Sequence, residues 1–226
     1  MNGHRDRAPD AREDSVDVGE AETRDQIAGE REELAELLGG LPAEAWDAPS
    51  LCEGWRVREV VAHMTMPYHS STGRFLKGMI RARGDFNRMA DRYARQDAER
   101  YTPEEFTAML RENARFPWKP PGGGYAGALS HDVIHGLDIT VALGLDRRVP
   151  RERLLIVLGG SDSPRSRKFF GTDLTGVRLQ ADDMDWSLGS GRPLSAPAQD
   201  LLLVLCGRRL PPGHLHGAPA PRFTAP

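Results

Sequence analysis

The sequence predicts a mainly α protein, in which a four-helix bundle is followed by a small α/β segment at the C-terminal end. Apolar residues recur at helical spacing through most of residues 20–143, and glycine and proline divide this region into successive helices. A stretch in which apolar and polar residues alternate, as in a strand, comes only after residue 150. Consecutive helices joined by loops of this kind pack most simply as a bundle.

The first two helices are bounded by glycine and proline. The first spans residues 20–38, with its apolar residues on one face, and a glycine pair ends it. The second begins at residue 56 with valines at helical spacing. Pro67 is expected to kink or interrupt this helix, which then resumes and continues to Gly84.

Stronger signals mark the later elements. The third helix begins at a capping box, in which Thr102 is the N-cap and Glu105 is its reciprocal partner. The fourth helix is predicted over residues 125–143, where a glycine follows. Beyond it, residues 177–180 alternate as in a strand and residues 196–206 form a very apolar helix.

The chain is predicted to consist of four parts. A highly charged stretch without periodicity forms a disordered arm at the start, and a proline-rich stretch forms a flexible tail at the end. Between them lie the helical bundle and the small α/β segment. In chain order, these parts are residues 1–20, 21–149, 150–210 and 211–226.

Composition and charge narrow the classes of function. The net charge of -3 is unevenly distributed, because residues 1–36 carry twelve acidic residues and five arginines and the rest of the chain has a small positive charge. That rest has no basic block, so we expect no nucleic-acid partner. Cys52 and Cys206 form neither a disulfide framework nor a metal knuckle, and each is predicted to be a buried small residue. The longest apolar run is too short to span a bilayer. We therefore expect a cytoplasmic protein without membrane contact, with a homodimer as one candidate state.

A histidine pair on the fourth helix is the main candidate site. His131 and His135 are four residues apart, so their Cβ atoms lie about 5–6 Å apart on one largely apolar face. Two buried imidazoles can hold one divalent metal, whereas without a metal their nitrogens need another polar network. His63, on the second helix, is the candidate third ligand. Asp138 lies on the same face and is predicted to be a fourth ligand, a hydrogen-bond acceptor for an imidazole, or simply a surface acid.

Other residues are assigned by position. His4, His214 and His216 are predicted to be solvated, because they lie in the arm and the tail. Trp118 and Tyr125 flank the loop before the fourth helix and are candidates for lining the mouth of a pocket.

Several stretches of the chain together resemble a known family. Residues 51–64 read LCEGWRVREVVAHM, and residues 131–138 read HDVIHGLD. Three shorter stretches follow, which are DMDWSLG at residues 183–189, PAQDLLL at residues 197–203 and a Gly-Arg pair at residues 207–208. These motifs resemble those of the mycothiol-dependent maleylpyruvate isomerase family, a branch of the DinB-like metal-binding bundles.

The resemblance implies a DinB-like four-helix bundle that binds a divalent metal, usually zinc, through His63, His131 and His135. It also implies mycothiol as cosubstrate and an isomerase or S-transferase reaction. The isomerase itself is expected to have a glutamate at the position of His131. Three neutral imidazoles leave about one more positive charge at the metal, which lowers the pKa of a bound thiol or water further. The C-terminal segment is expected to be shorter than the second domain of the isomerase.

Three functions therefore remain open from the sequence. The first is a metal-dependent isomerase or S-transferase that uses a low-molecular-weight thiol on a small-molecule substrate. The second is a thiol-independent metal-dependent hydrolase or lyase, for which Asp132 and Asp138 are the candidate bases. The third is a non-catalytic DinB-like protein that binds a metal or a ligand.

Overall fold

The computed structural model describes residues 11–161 and 170–226. These residues form mainly helices, with one small sheet near the C-terminal end, so the predicted fold class is confirmed. The helices are α1 Ala11–Gly39, α2 Val57–His69, α3 Thr72–Arg81, α4 Phe86–Ala98, α5 Pro103–Glu112, α6 Gly124–Thr140, α7 Arg151–Ser161 and α8 Ala198–Leu205. The strands are β1 Val177–Ala181, β2 Ser187–Gly189 and β3 Arg192–Ala196.

Helices α1, α2, α5 and α6 form the bundle, α4 packs on the outer side of α2, and α3 packs against α4. One fully buried apolar cluster lies between the four bundle helices, which accounts for their apolar stripes. Its largest members are Leu34, Leu38, Trp46, Met64, Phe106, Leu110 and Ile139. No helix among residues 11–161 and 170–226 is both long enough and apolar enough to cross a membrane.

The local signals for the helix ends were mostly correct. The hydroxyl of Thr102 accepts from the amide of Glu105, and the carboxylate of Glu105 accepts from the amide of Thr102, as the capping box predicted. The interruption at Pro67 was placed too early, because α2 continues through the proline and ends at His69. Proline removes one hydrogen bond to the preceding turn, and the helix still completes that turn before it ends.

Helix α1 extends further towards the N-terminus than predicted. It begins at Ala11, inside the stretch of residues 1–20 that was predicted to be a disordered arm. Residues 11–18 contain several good helix formers and no proline, and this intrinsic preference was underestimated. Residues 1–10, the remainder of the predicted arm, lie outside the described residues.

The C-terminal segment packs a small sheet and two helices against α6. The strand order is β2-β1-β3, with β1 antiparallel to β2 and parallel to β3. Alternate residues of β1 are buried, as its sequence pattern predicted. Leu129, Val133 and Leu137 of α6 enter this second core, whereas Ile139 of the same helix enters the first. Helix α6 therefore contributes side chains to both the core of the bundle and the core of the C-terminal segment.

Residues 211–226 are ordered in the structure, in contrast to the predicted flexible tail. Their backbone pairs at two isolated bridges, Ser195 with His216 and Leu210 with Thr224. Leu215 and Phe223 are buried in the second core. Single apolar anchors among prolines and glycines have no periodicity, which is why the pattern suggested a loose tail.

Replacing Phe223 by alanine is expected to lower the free energy of unfolding by about 3 kcal/mol, because a buried phenylalanine side chain is removed from the second core. Phe86 is 43% exposed, so Phe86→Ala is the matched control and should cost well under half as much. Urea unfolding of both variants measures the difference. Equal small losses for the two variants would show that the tail does not stabilise the fold.

Candidate metal centre

Three histidines from two helices converge where α2 faces α6. His63 comes from α2, and His131 and His135 lie one turn apart on α6. Their candidate ligand atoms all lie within 4.8 Å of one another. The ring centroids are separated by 5.0 Å, 5.0 Å and 4.8 Å. Ligand atoms this close can be drawn together around a single divalent ion, which binds imidazole nitrogens at about 2.0–2.1 Å.

The Nδ1 atom of His63 provides a test of whether the site fits a metal. This atom is buried and has no hydrogen-bond partner among the described residues. Burial, and then the neighbouring imidazoles of His135 and His131, hold the pKa of His63 well below its usual value, so the ring is neutral. A buried polar atom without a partner is costly and rare in folded proteins. A neutral, unpartnered imidazole nitrogen is the donor that a divalent metal would satisfy, so the residues fit the group.

A carboxylate backs each of the two histidines on α6. Nδ1 of His131 lies 2.9 Å from Oδ1 of Asp132, and Nδ1 of His135 lies 3.0 Å from Oδ2 of Asp138. We assign both hydrogens to Nδ1, because only then does each ring donate to its carboxylate. Nε2 of each ring is then left with a lone pair, which is the usual arrangement of metal-binding histidines. Asp138 thus occupies the position of a hydrogen-bond acceptor.

Each of these carboxylates is paired with an arginine from another part of the chain. Nε of Arg31 on α1 donates to Asp132 at 2.7 Å. Arg208, which follows α8, donates through Nε and Nη2 to the two oxygens of Asp138 at 2.7 Å and 2.9 Å. Burial raises the pKa of Asp138, but the hydrogen bonds from His135 and Arg208 outweigh it and lower the pKa to about 2. Both aspartates are therefore held as carboxylates.

The sequence suggested that Cys52 is simply a buried small residue. In the structure it is buried and also belongs to this hydrogen-bond network. Its Sγ lies 2.9 Å from Oδ2 of Asp138, 3.4 Å from Nη2 of Arg208 and 3.7 Å from Nδ1 of His135. Burial and the Asp138 charge raise the pKa of the thiol far above its usual value. Cys52 is thus a protonated thiol that donates to Asp138. Its sulfur is also near enough to His135 and Asp138 for the three to form a second group of candidate metal donors.

Two tryptophan rings border the histidines. The ring centroid of Trp55 is 5.3 Å from that of His63, and the ring centroid of Trp118 is 5.0 Å from that of His131. Trp118 therefore lies at the centre, where a pocket-lining residue was expected. Tyr125 instead lines a separate cavity of about 270 Å³ between α1 and the start of α6. Lys119 lies over its ring at 4.4 Å.

The remaining histidines are placed elsewhere. His69 lies against the ring of Tyr101. His216 is exposed, as predicted, whereas Nδ1 of His214 pairs with Asp200 at 2.9 Å and is only partly solvated. His4 lies outside the described residues.

The neutral, buried histidines give a pH-dependent stability that can be measured. Because the folded-state pKa values of His63 and His135 are lowered, the unfolded chain takes up protons below about pH 6.5 that the folded chain does not. The metal-free protein is therefore expected to lose stability as the pH falls from 7 to 5. Urea unfolding at several pH values measures this slope, which His63→Gln should reduce. His216→Gln, at an exposed position, should leave the slope unchanged. A flat profile for the wild-type protein would contradict the expectation.

Part of the chain is similar to a known protein family. Residues 27–115 match the family model described as the mycothiol maleylpyruvate isomerase N-terminal domain. The predicted family resemblance is confirmed. The matched range includes the C-terminal part of α1, the whole of α2 with His63, and helices α3 to α5, and it ends before α6. No curated protein sequence matches the chain.

A solved structure shares the overall fold. The chain is similar to a crystal structure of a mutant of the mycothiol-dependent maleylpyruvate isomerase, with a TM-score of 0.52 and 11% sequence identity. The likeness covers 92% of this chain and 95% of that chain. The bundle is thus DinB-like, as the resemblance implied. Because almost the whole of both chains is covered, the expected shortening of the C-terminal segment is not observed.

Proposed function

We propose that the chain is a metal-dependent enzyme of the mycothiol-dependent isomerase or S-transferase type. The observation that carries the proposal is the convergence of His63, His131 and His135, with two of the three rings oriented by buried carboxylates. This arrangement lies in a chain whose α2 belongs to a region matching the mycothiol maleylpyruvate isomerase N-terminal domain. Its partners are a small-molecule substrate and a low-molecular-weight thiol.

The three histidines would hold a divalent metal, for which zinc is the best match to a neutral imidazole set. Such a metal supplies a Lewis acid that favours the deprotonated form of a coordinated thiol. Burial keeps the imidazoles of His63 and His135 neutral, and Asp132 and Asp138 hold the rings of His131 and His135 in one tautomer. The rings of Trp55 and Trp118 border the centre, where they would form an apolar boundary for a bound substrate.

The charge balance around the histidines favours an activated thiol. An imidazole that binds a metal through a nitrogen lone pair carries no negative charge, so a set of three histidines brings none to the metal. The nearest carboxylates are Asp132 and Asp138, and each is neutralised by an arginine at 2.7 Å. His131 stands where the resemblance implies a glutamate, and the carboxylate beside it belongs to Asp132, which contacts the His131 ring and is neutralised by Arg31. A metal at this centre would retain most of its charge for the thiol.

The nucleophile is the cosubstrate thiol and not a thiol of the protein. Cys52 is buried, donates to Asp138 and has a strongly raised pKa, so it supplies no thiolate. In the proposed isomerisation, the sulfur of mycothiol adds to a carbon–carbon double bond conjugated to a carbonyl group, so the carbon–sulfur bond forms as the π bond breaks and its electron pair passes to the carbonyl oxygen. After rotation about the resulting single bond, the electron pair returns, the carbon–sulfur bond breaks and the double bond re-forms as the other isomer. In S-transfer the carbon–sulfur bond remains, because a leaving group such as chloride departs with its electron pair and the thiol proton is released.

A thiol-independent hydrolase is less consistent with the centre. General-base catalysis on a bound water requires a carboxylate or imidazole that is free to accept a proton. Asp132 and Asp138 are almost completely buried, and both oxygens of each are engaged by histidine and arginine donors. The two bases considered from the sequence are therefore already occupied.

Product analysis tests the proposal directly. Zinc-loaded protein is incubated with mycothiol and either maleylpyruvate or the general thiol-reactive electrophile monochlorobimane, and the products are separated by liquid chromatography and mass spectrometry. We expect isomerised or S-conjugated product that requires both zinc and mycothiol, and Cys52→Ala should retain the reaction. Product formed equally by zinc-free protein, or equally without mycothiol, would contradict the proposal.

A further inference from the structure

One buried arginine connects α1 to two parts of the candidate metal centre. Arg31 is fully buried, and its guanidinium lies between α1, the end of α5 and α6. Nε donates to Oδ2 of Asp132 at 2.7 Å. Nη1 donates to three backbone carbonyls that follow α5, those of Asn113, Ala114 and Phe116, at 3.2 Å, 3.2 Å and 3.0 Å.

The Nε branch leads to a histidine of the centre. The two oxygens of Asp132 are used in different directions, because Oδ2 accepts from Arg31 while Oδ1 accepts from Nδ1 of His131. With Oδ2 fixed by a charged donor, the carboxylate cannot rotate away from the imidazole. The ring is thereby held with its hydrogen on Nδ1 and the lone pair of Nε2 free.

The hydrogen bonds of Nη1 lead to Trp118, one of the two tryptophans that border the histidines. The three carbonyls belong to the segment that connects α5 to α6. Among the described residues, Arg31 is the one side chain that donates to all three. Trp118 follows directly in this segment, and its amide donates to the carbonyl of Phe116 at 2.9 Å. Its indole then lies 5.0 Å from the ring of His131. A single guanidinium thus holds the backbone that places Trp118 beside His131, and it also holds the carboxylate that orients the His131 ring.

The cost of burying this cation requires an explanation. Arg31 lies at helical spacing from Ile27, Leu34 and Leu38, where the stripe of α1 is otherwise apolar. A well-packed apolar residue at a buried ion-pair position is often as stabilising as the pair itself. Stability of the bundle therefore does not by itself account for an arginine at this place. The planar fork of arginine, unlike the single ammonium of lysine, can donate to a carboxylate and to carbonyls in different directions.

We infer that Arg31 is a positioning residue, which fixes the orientation of His131 through Asp132 and the place of Trp118 through the carbonyls after α5. The inference rests on the proposed function, because it assigns Arg31 a role at that same centre. It makes no use of contacts to substrate, so its consequences appear in the metal-free protein as well.

Nuclear magnetic resonance of the metal-free protein provides the first test. In the wild type, the ring nitrogens of His131 should show one dominant tautomer with the hydrogen on Nδ1. Arg31→Met and Arg31→Lys should each give a mixture of tautomers and shift the indole signal of Trp118. Arg31→Lys keeps the charge, so it still tests the geometry if Arg31→Met fails to fold.

Glu30→Gln is the matched control. Glu30 is the neighbouring residue on α1, is equally buried, and pairs with Arg147 and Arg153 at 2.7 Å and 2.8 Å. The substitution should lower stability and leave both magnetic resonance signals unchanged. If Glu30→Gln alters the tautomer as much as Arg31→Lys does, or if both Arg31 variants retain the wild-type signals, Arg31 has no positioning role.

Cobalt affinity provides the second test and separates the two claims. The affinity should fall about 10–100-fold in Arg31→Lys and in Asp132→Asn, as for other groups that orient metal-binding histidines, and should be unchanged in Glu30→Gln. If the wild-type protein binds no cobalt, the proposed function fails, and the tautomer measurement decides the inference alone. If the wild type binds cobalt and the Arg31 variants bind it equally well with the wild-type tautomer, the inference fails and the proposed function stands.

Discussion

Replacement of His63 by alanine is expected to abolish tight metal binding while leaving the protein folded. His63 is the one member of the group on α2, and its buried Nδ1 has no partner among the described residues, so no other hydrogen bond depends on this atom. Loss of groups that merely orient a metal-binding histidine already costs about 10–100-fold in affinity, so loss of a ligand should cost more than about 100-fold. Competition with a chromophoric chelator measures the zinc affinity.

His69→Ala is the appropriate comparison for this variant. His69 lies at the end of the same helix and is not a member of the three-histidine group. Its replacement should leave zinc affinity within about twofold of the wild-type value, whereas circular dichroism should show both variants folded. Wild-type affinity in His63→Ala would mean that the metal, if bound, is held elsewhere, for example by the donors around Cys52.

Replacement of Arg208 by methionine is expected to have the second large effect, on both stability and metal affinity. The change removes the cation that holds Asp138, whose carboxylate is fully buried. A buried charge left without its partner costs about 3–5 kcal/mol, and since the Arg208 side chain is 22% exposed, we expect the lower end of this range. The freed carboxylate also holds His135 less firmly, so zinc affinity should fall about 10–100-fold.

Two further variants test the cause of the Arg208 effect. Arg209→Met changes the neighbouring, exposed arginine and should alter neither stability nor affinity. The double variant Arg208→Met/Asp138→Asn removes the unpaired charge as well, so it should recover most of the stability but not the affinity. Chemical unfolding and chelator competition measure the two quantities. A double variant no more stable than Arg208→Met would show that the ion pair is not the source of the loss.

The fold was largely predictable because its signals are local. Helical spacing of apolar residues and the capping box at Thr102 each involve residues within a few positions of one another, and both gave the correct element. The packing of residues 211–226 was not predictable in this way. Phe223 and Leu215 contact a core assembled from α6, α7, α8 and the sheet, and nothing in their immediate neighbourhood in the sequence encodes those contacts.

The candidate site was predictable to different extents. His131 and His135 followed from the period of one helix, whereas His63 had no local signal and was assigned through the family resemblance. Arg31 carried a signal that was not used, since a charged residue at helical spacing within an apolar stripe must be buried with a partner. Cys52 and Arg208 are 156 positions apart, yet they contact each other and both bind Asp138. Their association depends on how the C-terminal segment docks on α6.

The central claim is that a metal at His63, His131 and His135 takes up the thiol of a cosubstrate. Titration of the cobalt-substituted protein with mycothiol tests it most directly, because sulfur coordination adds a charge-transfer band to the cobalt spectrum. We expect a band that saturates with mycothiol, is unchanged in Cys52→Ala and is absent in His63→Ala. A spectrum in which cobalt is bound by the three histidines but is unaffected by mycothiol would contradict the proposed binding of the thiol.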